Sequence, residues 1–218
     1  MNVRLQNPRQ GSFSFDLEHG AEPDPMRYDD THKQHTRQRL LQASAAVLKA
    51  QGFSATGVDR LMQAAGLSGG ALYAYYPSKN ALLAAVVENE VLSGHSRLTP
   101  ERGSVTESLR HLLRQYLSLS HVQHPELGCL LPALAAELSR APQDVQALLD
   151  RANELFVAHW APRLGSRTDA QFLITQLVGS VLLARMSNDP ERQREILNAS
   201  KQKLTDMFLA PGRLPEPV

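Results

Sequence analysis

Apolar side chains recur at helical spacing through most of the chain, and no segment alternates with period two for long. The first strong pattern contains Leu40, Leu41, Val47 and Leu48, with basic residues on the other faces of the helix. Gly52 is expected to end this helix in the left-handed conformation that glycine adopts at helix C-termini. The chain is therefore predicted to belong to the all-α class.

Three short helical segments follow this first helix. Thr56 is predicted to cap the first of them, which is broken at Gly66. Ser68 is predicted to cap the second, over residues 69–76, and Ser78 the third, which runs to about Leu92. Two short helices joined by a turn of three residues have the dimensions of a helix-turn-helix motif.

The remainder of the chain is also predicted to be helical. Residues 93–103 are interpreted as a linker, and prolines fall near the ends of the segments that follow, where proline is tolerated. The predicted helices cover residues 104–122, 128–139, 142–163, 167–187 and 190–210. Residues 1–30 lack periodicity and are interpreted as a disordered tail, and residues 211–218 as a loose one.

Composition excludes several classes of protein. The 218 residues suffice to bury a core without metals or disulfides. The longest apolar stretch, residues 172–186, is interrupted by polar side chains, whereas a membrane span needs about 20 apolar residues. The N-terminal residues lack the apolar region of a secretory signal. A single cysteine, Cys129, excludes an internal disulfide and Cys-rich zinc modules, so a cytoplasmic protein without membrane contact is expected.

Charge is unevenly distributed along the chain. Residues 31–83 contain six basic residues and one acid, a net charge of +5, although the whole chain carries only +1. Such a basic segment attached to a mildly acidic remainder is typical of a nucleic-acid reader joined to another domain. A solvated helix face with scattered lysine and arginine explains the same charges, and the charge alone leaves both interpretations open.

One extended motif points to a family. Its most telling parts are Gly52-Phe53, Thr56, residues 64–68 (AAGLS), Gly70, Leu72-Tyr73, Tyr75-Tyr76 and residues 78–82 (SKNAL). Residues 36–87 thereby resemble the DNA-binding domain of TetR/AcrR-family transcriptional regulators. The resemblance implies a helix-turn-helix DNA-binding domain over residues 31–83 and a helical effector-binding and dimerisation domain over residues 84–210.

The resemblance also implies which residues contact DNA. The second short helix becomes the recognition helix in the major groove, and the matched positions are Thr56, Ser68, Gly69, Gly70, Ala71, Tyr73, Tyr75 and Lys79. The family commonly has Lys or Arg where this chain has Gly69. Because the recognition helix has no Arg or Asn for bidentate base contacts, readout of DNA shape and dimer avidity gain importance.

Cys129 is the main candidate for a sensor. It opens the predicted helix 128–139, where the helix dipole would lower the pKa of the thiol, and His121 or His124 could assist as a cation. Family branches with a single sensing cysteine have a similar arrangement. The alternative is a buried small hydrophobe, a role common for free cysteine. If the effector is a small molecule, Tyr116, Phe156, Trp160 and Met186 are candidate pocket residues with the histidines.

The last two predicted helices carry broad apolar stripes, which by resemblance form a homodimer interface. A two-fold dimer would read a pseudo-palindromic operator.

The function so implied is that of a repressor released from its operator by a small-molecule or electrophile effector, or by modification of Cys129. An effector-independent architectural DNA-binding protein is the alternative. No catalytic residue, metal site or cofactor is expected, because a Cys–His pair alone lacks an orienting group and the histidine spacings match no metal-ligand pattern.

Overall fold

The computed structural model describes residues 25–99 and 103–210, without the side chains of residues 25–31 and 95–97. The chain divides into two compact units, residues 1–35 and 36–218. Of the first unit, the structure describes only the beginning of one helix. Every contact discussed below lies within the second unit, and both predicted terminal tails lie mostly or wholly outside the described residues.

Ten α-helices and no strand make up the described part of the chain, so the all-α prediction is confirmed. Single 3-10 turns occur at Gly69–Ala71 and Pro125–Leu127. The helices are α1 (Pro25–Gln51), α2 (Val58–Ala64), α3 (Leu72–Tyr75), α4 (Lys79–Leu98), α5 (Val105–Tyr116), α6 (Leu119–Gln123), α7 (Leu131–Leu138), α8 (Gln143–Leu164), α9 (Arg167–Arg185) and α10 (Pro190–Phe208).

The predicted boundaries of α1, of α4 and of the segment 104–122 are wrong. Helix α1 already begins at Pro25, in a first turn where the missing N–H of proline needs no helical partner. Helix α4 continues to Leu98 rather than ending near Leu92, because it packs along α8 and tertiary contacts sustain it. The predicted helix 104–122 is interrupted at Leu117, and Ser118 caps α6 by accepting a hydrogen bond from the His121 N–H.

Two apolar clusters form the core. The first surrounds Trp160 and joins α5, α6, α8, α9 and α10. The second contains the buried faces of α1 to α4, and α7 adds Leu134 and Leu138 to it. Helix α7 therefore packs into the core of the helix-turn-helix region, although it lies far along the sequence. The predicted domain boundary at residues 83 and 84 falls inside α4, and the division into two functional domains stays a prediction.

Candidate functional site

The turn between α2 and α3 has the geometry of a helix-turn-helix connection. Gly66 adopts a φ of 70°, and its N–H donates to the Gln63 carbonyl at 2.9 Å. The N–H of Leu67 donates to the Met62 carbonyl at 2.9 Å. This pair of bonds is the Schellman arrangement that ends a helix at a left-handed residue, and it directs the chain into the recognition segment at Ser68.

The recognition segment is shorter and less regular than predicted. It begins with the 3-10 turn Gly69–Ala71 and continues as the single α-helical turn of α3. Ser68 stands at the N-cap position, as predicted, but its side chain makes no capping hydrogen bond. Two glycines in succession favour this irregular start, because glycine has low helix propensity.

Most predicted DNA-contacting residues lie at the surface of this segment. Ser68 and Gly70 are exposed, Gly69 and Ala71 are half-buried, and the Tyr73 side chain is 71% exposed. Tyr75 is half-buried against the core of the helix-turn-helix region. The structure thus brings the predicted residues of the recognition segment together on one short element.

Thr56 does not occupy the N-cap position of α2 that the sequence predicted for it. The N-cap of α2 is Gly57, and no side chain caps that helix. Thr56 is only 2% exposed, and its hydroxyl donates to the Gly52 carbonyl at 2.6 Å. The prediction that Thr56 caps α2 is therefore wrong, because its hydroxyl closes the turn after α1 instead.

Lys79 begins α4 and is half-buried beside the same turn. Its ammonium group donates to the Phe53 carbonyl at 2.5 Å and lies 4.1 Å from the centre of the Phe53 ring. An ammonium group has three N–H donors, so this contact leaves donors for a further acceptor. Ser78 accepts a hydrogen bond from the Ala81 N–H at 3.1 Å, which confirms the predicted cap of α4.

A cavity of about 340 Å³ lies among α4, α5, α6, α8 and the segment before α7. Its volume is at the lower end of the range for small-molecule pockets, and its lining is mostly apolar, as in such pockets. Five of the predicted effector residues line it, namely Tyr116, His121, His124, Cys129 and Phe156.

Two predicted effector residues lie elsewhere. Trp160 is fully buried in the core, and its indole N–H donates to the Leu98 carbonyl at 3.0 Å. Met186 follows the end of α9 and is 78% exposed. Their assignment to the pocket is wrong, because helical spacing predicts which residues are apolar but not which side of a bundle encloses a cavity.

The helix-dipole argument for Cys129 is also wrong. Helix α7 begins only at Leu131, so Cys129 lies just outside its first turn. Cys129 is half-buried at the cavity wall, and burial of its thiol raises the pKa above the ordinary value. The neighbouring Tyr116 hydroxyl and the Leu131 N–H lower the pKa of Cys129 by less, so desolvation of the thiolate dominates.

His121 does not serve as a cation beside this thiol. Nδ1 of His121 lies 2.7 Å from the Tyr116 carbonyl, and its Nε2 accepts a 2.9 Å hydrogen bond from the Cys129 N–H. A carbonyl only accepts and an amide N–H only donates, so these partners assign the neutral Nδ1–H tautomer. His124 is more exposed, and its Nδ1 lies 3.3 Å from a carboxylate oxygen of Glu126.

The Tyr116 hydroxyl is a buried polar group beside Cys129. The residue is 4% exposed, and no hydrogen bond of normal geometry reaches the hydroxyl from the described residues. Burial, reinforced by the Cys129 thiol, raises the pKa of Tyr116 well above its ordinary value. The hydroxyl therefore remains protonated at neutral pH.

A buried ion pair lies at the wall of the cavity, and no pattern in the sequence predicts it. Lys49 of α1 donates to a carboxylate oxygen of Glu90 and to the Gly128 carbonyl, both at 3.0 Å. The two charged side chains are only 5% and 11% exposed, and Glu90 lines the cavity. The pair connects α1 and α4 to the residue that precedes Cys129.

Known proteins resemble this chain in its helix-turn-helix region and beyond it. The family described as "Bacterial regulatory proteins, tetR family" matches residues 40–86, which contain the helix-turn-helix. The HTH-type transcriptional repressor NemR of Escherichia coli is 29% identical over 125 residues, which are 55% of this chain and 63% of NemR. The nucleoid occlusion factor SlmA of Vibrio atlanticus is 30% identical over 130 residues, 58% of this chain and 63% of SlmA. The chain thus spans less than two thirds of the length of these curated relatives.

Solved structures extend the likeness to the whole fold. The reduced form of E. coli NemR superposes with a TM-score of 0.70 at 24% identity, over 82% of this chain and 99% of NemR. A regulatory protein TetR from Rhodobacter sphaeroides gives a TM-score of 0.66 at 21% identity, over 78% and 97%. The helix-turn-helix region of the chain thus matches the tetR family, and the chain shares its fold with tetR-family regulators.

One departure from the common tetR-family pattern has a structural cause. A Cβ atom built on Gly69 would lie 1.9 Å from a carboxylate oxygen of Asp59 on α2. A larger residue at position 69 is therefore compatible with this turn only if Asp59 rotates away. A Cβ atom built on Gly70 would instead have no neighbouring atom within 4 Å.

The apolar stripes predicted for a tetR-family dimer interface mostly point inward. Leu173, Leu177 and Val181 of α9 are buried within the subunit, as are Leu197 and Leu204 of α10. Another face of α9 carries exposed apolar side chains instead, and these are Phe172, Leu182 and Leu183, followed by Met186. Helical spacing identified the apolar residues of α9, but only packing shows which face remains open.

No helix in residues 25–99 or 103–210 has the length and apolar character that a membrane crossing requires.

Proposed function

We propose that this tetR-family protein is a cytoplasmic, homodimeric, sequence-specific DNA-binding repressor that leaves its operator when a small molecule occupies the cavity beside Cys129. The observation that carries the proposal is the exposed recognition segment, which follows a well-formed helix-turn-helix connection within the matched residues 40–86. The similar proteins are DNA-binding regulators rather than enzymes.

The chemistry of the recognition segment suits contacts with the DNA backbone. The Tyr73 hydroxyl is available to a phosphate, and the N–H groups that follow Ser68 begin a helical turn that can face one. Lys79 adds a positive charge at the start of α4. Such contacts position a protein on DNA without reading its sequence, so specificity would come from DNA shape and from half-site spacing.

Selection of duplexes from a random library, followed by binding measurements across salt concentrations, tests this function. We expect Tyr73→Phe and Lys79→Ala to weaken binding to selected and random duplexes alike. Lys79→Ala should also reduce the slope of log K against log salt by about one. Arg192→Ala on α10, whose side chain pairs with Glu195, serves as a control for lost positive charge. Failure of the wild-type protein to enrich any duplex would contradict the proposal.

The exposed apolar face of α9 supports dimerisation, since contiguous apolar patches mark interfaces. Leu183→Glu should yield a monomer by light scattering and lose the affinity gained by occupying two half-sites. Leu92→Glu is a matched control, because Leu92 is a similarly exposed leucine on α4, at 66% against 55% for Leu183. A Leu183→Glu protein that remains a dimer would place the interface elsewhere.

The cavity supports an effector-responsive protein over an architectural one. Helix α4 leads from Lys79, at the proposed DNA interface, to Glu90, Val91 and Leu98 at the cavity wall. A ligand that displaces α4 would change the separation of the two recognition segments in a dimer. Because half-sites lie about one DNA turn apart, roughly 34 Å, a small displacement would prevent both from docking.

Modification of Cys129 is a second candidate trigger, favoured by the position of this thiol at the wall of the same cavity. Treatment with N-ethylmaleimide should then release bound DNA from the wild-type protein and not from Cys129→Ser. Since the chain has one cysteine, a Cys129→Ser protein that still responds would exclude a thiol trigger. An unresponsive wild-type protein would leave the small-molecule mechanism as the proposal.

A further inference from the structure

The carboxylate of Glu137 on α7 binds the turn that follows α1. One carboxylate oxygen accepts a hydrogen bond from the Phe53 N–H at 2.8 Å, and the other accepts one from the Ser54 N–H at 2.6 Å. Gly52 precedes these amides with a φ of 84°, and a Cβ atom built there would lie 3.2 Å from Glu137. Glycine thus provides both the left-handed conformation that starts the turn and the room for the carboxylate.

The same turn holds Lys79. Its ammonium group donates to the Phe53 carbonyl and lies over the Phe53 ring. Phe53 is therefore bound from both sides, with its N–H on Glu137 and its carbonyl on Lys79. A shift of the turn would move the lysine that starts α4.

Glu137 is charged at neutral pH. Burial by itself would raise its pKa, but hydrogen bonds from Ser54 and Phe53, aided by the charge of Lys79, outweigh burial and hold the pKa of Glu137 below its ordinary value. The ionised carboxylate accepts both amide hydrogen bonds at once, and charge-assisted hydrogen bonds are stronger than neutral ones.

We propose that Glu137 is a positioning residue for DNA binding, which holds the α1–α2 turn and, through Phe53, places Lys79 for contact with a phosphate. This inference rests on the proposed function. It also assigns a route to the cavity, because the first residue of α7, Leu131, lines the cavity and Glu137 lies on the same short helix. The sequence offered no sign of this role, since an acid on a helix is ordinarily a solvated surface residue.

The proposal makes a prediction opposite in sign to simple electrostatics. Removal of an acidic group close to a DNA-binding surface reduces repulsion of the phosphates and should strengthen binding. If Glu137 positions the turn, its loss should weaken binding instead. Because Glu137 acts through the phosphate contact of Lys79, the slope of log K against log salt should fall by no more than the value of about one expected for loss of Lys79 itself.

The experiment compares Glu137→Gln with the wild type on a duplex selected by the wild-type protein. We expect affinity to fall by about fivefold to tenfold, the effect of one lost hydrogen bond, with a salt slope between those of the wild type and Lys79→Ala. Asp144→Asn is the charge-matched control, because Asp144 is an exposed carboxylate on α8, and it should bind as tightly as the wild type or slightly more tightly. Lys79→Ala removes the phosphate contact itself and should therefore reduce the slope at least as much as Glu137→Gln does.

Amide hydrogen exchange separates positioning from a general loss of stability. In Glu137→Gln the Phe53 and Ser54 amides should exchange faster, while the buried helical residues Leu40 and Leu61 keep their protection. Equal or tighter DNA binding by Glu137→Gln, or faster exchange throughout the protein, would overturn the inference and leave the proposed function intact. Absence of DNA binding by the wild type would instead contradict the proposed function.

Discussion

The backbone N–H of Cys129 donates a 2.9 Å hydrogen bond to Nε2 of His121, and this bond fixes how the segment before α7 lies against α6. Gly128 makes the approach possible, since a Cβ atom there would lie 2.3 Å from Cδ2 of His121. The φ of Gly128 is −88°, an ordinary value for any residue. Space for the imidazole, and not backbone conformation, therefore requires glycine at this position.

Replacement of Gly128 by alanine should lower the free energy of unfolding. The added methyl group must displace His121, which is held at both ring nitrogens, and overpacking of this kind typically costs about 1 to 3 kcal/mol. Gly94→Ala on α4 is the control, because no atom lies within 4 Å of its added Cβ and alanine favours a helix. Equal stabilities of the two variants in urea denaturation would show that His121 moves aside freely.

Two buried tyrosines should respond in opposite ways to loss of their hydroxyl groups. The Tyr76 hydroxyl accepts a 3.0 Å hydrogen bond from Arg37, so Tyr76→Phe should lower the free energy of unfolding by about 1 kcal/mol. The Tyr116 hydroxyl has no such partner among the described residues, and the Cys129 thiol beside it is only a weak acceptor. Tyr116→Phe should therefore leave stability unchanged or raise it by about 1 kcal/mol.

Thermal and urea denaturation of the two phenylalanine variants provide the test. The residues are similarly buried, at 5% and 4% exposure, so each serves as the control for the other. A Tyr116→Phe protein destabilised as much as Tyr76→Phe would mean that the Tyr116 hydroxyl makes a hydrogen bond in solution.

The ion pair between Lys49 and Glu90 should matter far more than an exposed one. Lys49→Met leaves the Glu90 carboxylate buried without a cation, a change that typically lowers stability by about 3 to 5 kcal/mol. Arg167→Met breaks the pair with Glu154, whose partners are 64% and 60% exposed, and should change stability by less than about 1 kcal/mol. If calorimetry shows that Lys49→Met and Arg167→Met lose similar amounts of stability, water must reach Glu90 through the cavity.

The Cys129 thiol should react slowly at neutral pH. Its raised pKa reduces the thiolate fraction below that of a free cysteine, whose pKa is about 8.5, so the rate of alkylation should still be rising above pH 9. The folded state then holds its proton more tightly than the unfolded state, and stability should fall as the pH rises above about 8.5. Timed alkylation from pH 6 to 10 measures the rate of reaction. Urea denaturation over the same pH range measures the loss of stability, which should be absent in Cys129→Ser. Rapid alkylation at pH 7 would contradict both.

Local signals in the sequence determined much of the fold. The apolar spacing around Leu40 and Leu48 places a helix, Gly52 and Gly66 end helices because glycine adopts positive φ, and Ser78 caps α4 through a hydrogen bond to a nearby amide. These features depend on residues within a few positions of each other, so the chain specifies them before it packs. The resemblance of residues 36–87 to a known DNA-binding domain depends on the same local pattern.

Contacts between distant parts of the chain were decided only by the tertiary structure. The burial that raises the pKa of Cys129, the neutral tautomer of His121 and the placement of Trp160 in the core all depend on packing between helices. Glu137 resembles any surface acid until α7 packs beside residues 53 and 54, which precede it by more than 80 positions. Periodicity shows that a face is apolar or polar, but the partner of that face is set by packing across the whole molecule.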